Sequence, residues 1–253
     1  MPVSFLVCAT PRSGSTLLCE GLKATGVAGR PEEYFEALPT TGRPRTPADF
    51  LAGLDDPEAL AVVNGAPPPE PPPYSSLLDV DRHEQHLERV RTWGTTPNGV
   101  FGAKVMWAHV DDPAALFPGA RYVWVRRDDT VRQAISLWRA MQTQSWRDEG
   151  SRGSGHAQPE YRFSALRHLV DLLDEHDAAW ARFFDGRHVL ELTYEEIAAD
   201  LPRTLERTLT HLGIERPDEW PPDLPAMRRQ ADALSDRWAA AYARDLAGQP
   251  SPT

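Results

Sequence analysis

The 253-residue chain holds only two cysteines, Cys8 and Cys19, and both fall in its first strand and helix unit. So small a supply excludes a disulfide framework, and small buried apolar packing is the expected role of both thiols. No basic segment precedes the first apolar run, which ends at Ala9, so no secretory leader is expected. No stretch approaches the roughly 20 apolar residues of a membrane span. A reducing cytoplasm is the expected location. Positive charge is also short: the formal net charge is −10. A chain with that balance lacks the basic field that nucleic acid or an anionic membrane requires, so any anionic ligand needs a local cationic cluster. None of the eight histidines shows metal-ligand spacing, and His83 and His86 lie in a polar stretch, so no metal is expected.

Against these absences, Phe5 to Leu18 reads FLVCATPRSGSTLL. An apolar strand runs into a loop of small residues and then into an apolar helix start. In such a loop backbone N–H groups converge, the helix N-terminus adds the positive end of its dipole, and Gly14 removes Cβ interference with an approaching anion. The pattern is not a Walker A loop. Ala9 or Thr10 stands where its first glycine belongs, and no lysine precedes Ser15. The one cation inside the loop is Arg12, whose planar guanidinium suits a phosphate or sulfate edge. Read alone, the segment is better taken as an ordinary strand-to-helix turn with Ser13 or Ser15 as N-cap.

With 41% hydrophobic and 25% charged residues, the chain is long enough for one α/β domain over residues 1–253. Strands are expected at Ser4–Cys8, Val100–Val105, Arg121–Val125 and Val189–Leu192, each short, apolar and separated by helical or loop sequence. That alternation implies a mainly parallel sheet flanked by helices. Helical periodicity marks Ser15–Ala24, Thr130–Thr143, Glu160–Phe184, Leu201–Leu212 and Ala231–Leu246. The proline-rich run over residues 64–74 reads as a surface excursion. The polar, glycine-rich stretch over 144–159 is either a lid or a plain surface loop.

Several separated segments together resemble the PAPS-dependent sulfotransferases, and most closely the bacterial trehalose 2-sulfotransferase family. They are TPRSGSTLL, RPEEYF at Arg30–Phe35, TPNGVFGAKVMW at Thr96–Trp107, RRDDTVRQAISLWRAMQT at Arg126–Thr143, and RRQADALSDRW at Arg228–Trp238. The resemblance implies a P-loop-like three-layer fold and sulfuryl transfer from PAPS to an alcohol, with release of adenosine 3′,5′-bisphosphate. It assigns Arg12, Ser13, Gly14, Ser15 and Thr16 to the 5′-phosphosulfate cradle, Arg12 standing where many sulfotransferases have lysine. It assigns Arg127 and Ser136 to the 3′-phosphate, with Arg126 a rival for Arg127, and Arg229 and Gln230 to a late loop around the nucleotide. Glu33 matches the family's base, and Lys104 a lysine near the bridging oxygen.

Each assignment has a plainer alternative. Glu32, Glu33 and Glu36 alone read as an exposed acidic loop, the face of Arg132, Ser136 and Arg139 as solvated helix surface, and Lys104 as a solvated strand end. The acceptor implied is a sugar, a glycolipid or a hydroxylated natural product. Arg30 stands where the trehalose enzyme has an acidic residue, a change that removes a sugar hydroxyl contact and argues against trehalose itself; a different sugar, a glycolipid or a hydroxylated natural product would suit equally well. A homodimer is also compatible with the resemblance. Two further readings are a P-loop small-molecule kinase, which requires Mg²⁺, and a nucleotide-binding protein without turnover.

Overall fold

A computed structural model describes residues 3–36, 46–66, 83–110, 112–146, 158–224 and 233–249, with residues 83–85 as backbone only. Four strands form one parallel sheet: β1 (Ser4–Ala9), β2 (Phe101–Met106), β3 (Arg121–Arg126) and β4 (Val189–Thr193), in the order β2-β1-β3-β4. β1 lies between β2 and β3, with Val7 opposite Lys104 on one side and Val123 on the other. The sheet therefore grows in opposite directions from β1. Just beyond the carboxyl end of such a strand a crevice opens, where ligands of parallel α/β sheets bind.

The chain divides into two compact units. The first contains the sheet together with α1 (Ser15–Ala24), α3 (His83–Gly94), α4 (Pro113–Leu116), α7 (Tyr194–Ala199) and α8 (Leu201–Leu212). β1, β2 and most of β3 are buried on both faces, as parallel strands covered by helices are, while the edge strand β4 is partly exposed. Phe5, Val7 and Ala9 pack with Leu18 and Leu22 of α1 and Leu205 and Leu209 of α8. The alternate residues Leu6 and Cys8 pack on the other face with Val90 of α3 and with Trp180 and Phe184. This is the three-layer arrangement expected from the sequence. Both cysteines are buried free thiols, as their apolar setting implied.

The second unit is helical: α2 (Pro57–Asn64), α5 (Thr130–Thr143), the first part of α6 (Phe163–Phe184) and α9 (Ala233–Ala247), with a 3₁₀ turn over Pro47–Leu51. Ala134, Ile135, Trp138 and Met141 of α5 join Leu166, Leu169 and Leu173 of α6 and Trp238 and Tyr242 of α9 in one core. From Glu175 onward α6 belongs to the first unit. Most of the proline-rich run, most of the 144–159 stretch, and Arg229 and Gln230 lie outside the described residues. No helix among the described residues is long and apolar enough to cross a membrane.

Candidate active site

The loop after β1 is shaped for an anion by its backbone. Arg12 (φ 64°) and Gly14 (φ 88°) take left-handed conformations on either side of Ser13, an alternation that turns successive N–H groups to one side. A non-glycine residue held there costs on the order of 1–3 kcal/mol, which the surrounding packing sustains. Gly14, rather than Ser13 or Ser15, is the N-cap of α1, and having no side chain it supplies no side-chain cap. The plain capping reading of the serines is therefore overturned. The first turn also lacks acidic residues, so its N–H groups and dipole are left for an external acceptor. Ser13 is fully buried, and its hydroxyl finds no partner among the described residues. A buried polar atom in that condition is exceptional and calls for an explanation.

Two side chains of α6 anchor the base of this loop. Trp180 donates its indole N–H to the carbonyl of Ala9 (3.0 Å), and Thr10 donates its hydroxyl to Asp177 (3.1 Å). Gly14 cannot gain a side chain, because a Cβ there would stand 2.7 Å from Tyr194.

Lys104 departs from expectation. It does not end its strand, since β2 continues to Met106, and it is only 2% exposed. Its ammonium donates to the Thr16 hydroxyl in the first turn of α1 (3.0 Å) and pairs with Glu33 Oε1 (2.6 Å). Burial alone would pull its pKa down, but the adjacent Glu33 carboxylate outweighs burial and leaves it above the ordinary lysine value. Lys104 thus carries its charge at neutral pH. One buried cation joins the anion loop to the acid in RPEEYF.

That segment is also not the exposed acidic loop its composition allowed. Glu32 is buried and pairs with Lys23 of α1, which also holds Glu20 (2.7 Å). The backbone carbonyl of Glu32 accepts from the Lys104 N–H (2.9 Å). The segment therefore runs along the free edge of β2 and presents Glu33 to the Lys104 ammonium.

The two arginines at the end of β3 differ sharply. Arg126 is held by Asp128 and Glu191, and those carboxylates, the Glu191 bond first, raise its pKa. Arg127 instead stacks over the ring of Tyr194, 4.5 Å from its centroid. Tyr194 therefore touches both the glycine of the loop and the guanidinium of Arg127, a link the sequence reading missed. A tyrosine directly after a strand, ahead of EEI, was the available signal. Ser136 lies in the second unit, half-buried on α5. Its neighbours on that helix are engaged within the unit: Arg132 pairs with Asp236 (2.7 Å) and Arg139 donates to the Ser235 hydroxyl (2.8 Å).

Residues 4–245 match the family described as Stf0 sulphotransferase. The chain belongs to that family. Among its relatives is the trehalose 2-sulfotransferase of Mycobacterium tuberculosis (strain Erdman), 35% identical over 98% of this chain and 97% of the relative. The enzyme of the same name from Mycolicibacterium smegmatis is 33% identical over 96% of each chain. A solved sulfotransferase domain from the curacin biosynthetic pathway superposes with a TM-score of 0.51 at 14% identity, covering 96% of this chain and 98% of that one. That likeness concerns the fold, which is the sulfotransferase fold. This Stf0 sulphotransferase is thus an enzyme of the transferase class, and the loop, Lys104 and Glu33 are the parts of it that structure brings together.

Proposed function

We propose that the chain transfers a sulfuryl group from PAPS to a hydroxyl of a carbohydrate, releasing adenosine 3′,5′-bisphosphate. The observation that carries this reading is the Lys104 ammonium, buried between Thr16 of the anion loop and Glu33. The residues fit a phosphosulfate. The glycine N-cap gives the first turn of α1 no side-chain acceptor, and the buried Ser13 hydroxyl finds no partner among the described residues; the oxygens of a phosphosulfate would serve both. PAPS supplies an activated sulfuryl group and a stable bisphosphate leaving group.

The chain's own residues supply position and charge. The loop from Arg12 to Thr16 holds the phosphosulfate oxygens with backbone N–H groups, hydroxyls and the Arg12 guanidinium. Lys104 places fixed positive charge where negative charge grows on the leaving oxygen, in a setting with little water to screen it. Glu33 takes the proton of the acceptor hydroxyl, which is a poor nucleophile while neutral. Arg127, whose guanidinium lies over the Tyr194 ring beside Gly14 of the loop, keeps the 3′-phosphate role that the resemblance gave it, with Arg126 its rival. Ser136, Arg229 and Gln230 keep the nucleotide-binding roles that the resemblance gave them. The family match spans segments of both units, which supports one functional domain. The relatives named for trehalose support a sugar acceptor, and Arg30 directs attention to sugars other than trehalose. Glycolipid acceptors and a homodimer belong to the same reading.

Calorimetry with adenosine 3′,5′-bisphosphate, ADP and ATP, with and without Mg²⁺, tests the donor. Metal-independent preference for the bisphosphate is expected, and preference for MgATP would replace the sulfotransfer mechanism by a kinase one. Glu33→Gln tests the base: turnover should fall about 100-fold or more while bisphosphate affinity is retained. Full activity in that variant would remove Glu33 from the mechanism.

A further inference from the structure

His109 has no role in the reading above, yet it stands beside Glu33. β2 ends at Met106, and the chain enters a 3₁₀ turn over Trp107–His109. The turn folds the imidazole back on the strand end, where the Met106 N–H donates to His109 Nδ1 (3.4 Å). Since Nδ1 accepts, the neutral ring carries its proton on Nε2. Nε2 lies 3.9 Å from Glu33 Oε2, while Lys104 holds Oε1. The two oxygens of one carboxylate are thus addressed from two sides. His109 is buried, so this is not a solvated surface contact. Trp107, at the head of the turn, packs its ring edge-on against Trp180 with centroids 5.0 Å apart, and Trp180 in turn holds the Ala9 carbonyl. The turn is therefore braced to the same element that anchors the anion loop.

We propose that His109 is a positioning residue for Glu33, holding Oε2 with its Nε2–H so that the carboxylate stays ionised and aimed at the acceptor hydroxyl. The proposal rests on the reading of Glu33 as the base. Each contact on a carboxylate oxygen restricts rotation about the Cγ–Cδ bond, as Lys104 does at Oε1. A donor at Oε2 restricts it further. At 3.9 Å the contact is longer than a hydrogen bond, and it shortens to one with a sub-ångström closure of either side chain. A donor at Oε2 also favours the ionised form of the carboxylate. Lys104 pairs with Glu33 and itself feels Cys19 of α1 and Glu32, which Lys23 holds.

Four proteins decide the matter: wild type, His109→Phe, His109→Gln and Glu33→Gln, each assayed for kcat, KM, the pH profile of kcat and affinity for adenosine 3′,5′-bisphosphate. Phenylalanine keeps the ring and removes the donor, whereas glutamine keeps a donor at similar reach without a titrating ring. His109→Phe should lose about 10- to 100-fold in kcat, the scale of a misplaced catalytic group. Its bisphosphate affinity should stay within about twofold of wild type, and the acid limb of its pH profile should move to higher pH as Glu33 loses a donor. His109→Gln should recover most of kcat and the position of the limb. A wild-type kcat and limb in His109→Phe would overturn the proposal, as would a His109→Gln as impaired as His109→Phe, or a loss of bisphosphate affinity matching the loss in kcat. Glu33→Gln separates the two readings. If it retains turnover, the base assignment fails; if it is inactive while His109→Phe is normal, only the role of His109 fails.

Discussion

The corner of the first unit around β1, α1 and β2 and the α5–α9 pair of the second unit both gather cations, but they hold them differently. The chain has only two lysines, Lys23 and Lys104, and both lie in the first corner, each paired with a glutamate of the RPEEYF segment. Lys104 is nearly inaccessible and contacts two functional groups at once. In the second unit Arg132 is about one-third exposed and its partner Asp236 about two-thirds exposed. Charge held in a dry site keeps most of its strength, whereas charge in water is screened and mobile. A buried ion pair is weak evidence of stabilisation, because desolvation offsets much of the attraction. The first corner therefore reads as placed for chemistry, and the α5–α9 pair as surface fastening.

The sharpest way to break this comparison is Lys104→Met, which keeps the volume and removes the charge. Turnover should fall about 10²- to 10³-fold, the cost of removing a preorganised electrostatic donor. Glu33 is about one-quarter exposed, which leaves it a route to water and allows the variant to fold. A kcat near wild type would show that the buried cation serves packing alone. A smaller effect comes from the β3 arginines. Arg127→Ala should weaken bisphosphate binding by about 1–3 kcal/mol, the scale of a lost charge-assisted hydrogen bond. Arg126→Ala should cost less than that in the same titration, and the reverse order would exchange their roles. The smallest effect is expected in the second unit: Arg132→Ala should change thermal stability by no more than about 1 kcal/mol and leave kcat/KM unaltered. A larger loss of kcat/KM would show that the α5–α9 pairing supports catalysis.

Much of this was legible in the chain. The four strands lie within a residue or so of their expected bounds, because each is a short, mostly apolar run set off by helical or loop sequence. α1, α5 and α8 begin and end at the expected residues, since periodicity and flanking polar residues mark their ends. α7 spans six residues, too few for a 3.6-residue period to register, and its Tyr194 was missed with it. α3, with the sequence HEQHLERVRTWG, is too polar to display an apolar stripe. The site residues that matched motifs were found, but their state was not. A lysine in an apolar strand looks solvated until its carboxylate partner, distant in sequence, is brought beside it. His109 carried no signal because its relation to Glu33 arises from a turn after β2.

The two cysteines give the protein a built-in clock. Cys8 in β1 and Cys19 in α1 flank the anion loop, and burial pushes the Cys19 thiol up to about 12 and raises that of Cys8 as well. Thiol reagents attack the thiolate, so both groups are inert while the native packing holds. Labelling then requires the strand and helix around the loop to part. The rate of alkylation reports how often the cradle opens, and a ligand that binds the closed cradle slows that rate in proportion to its occupancy.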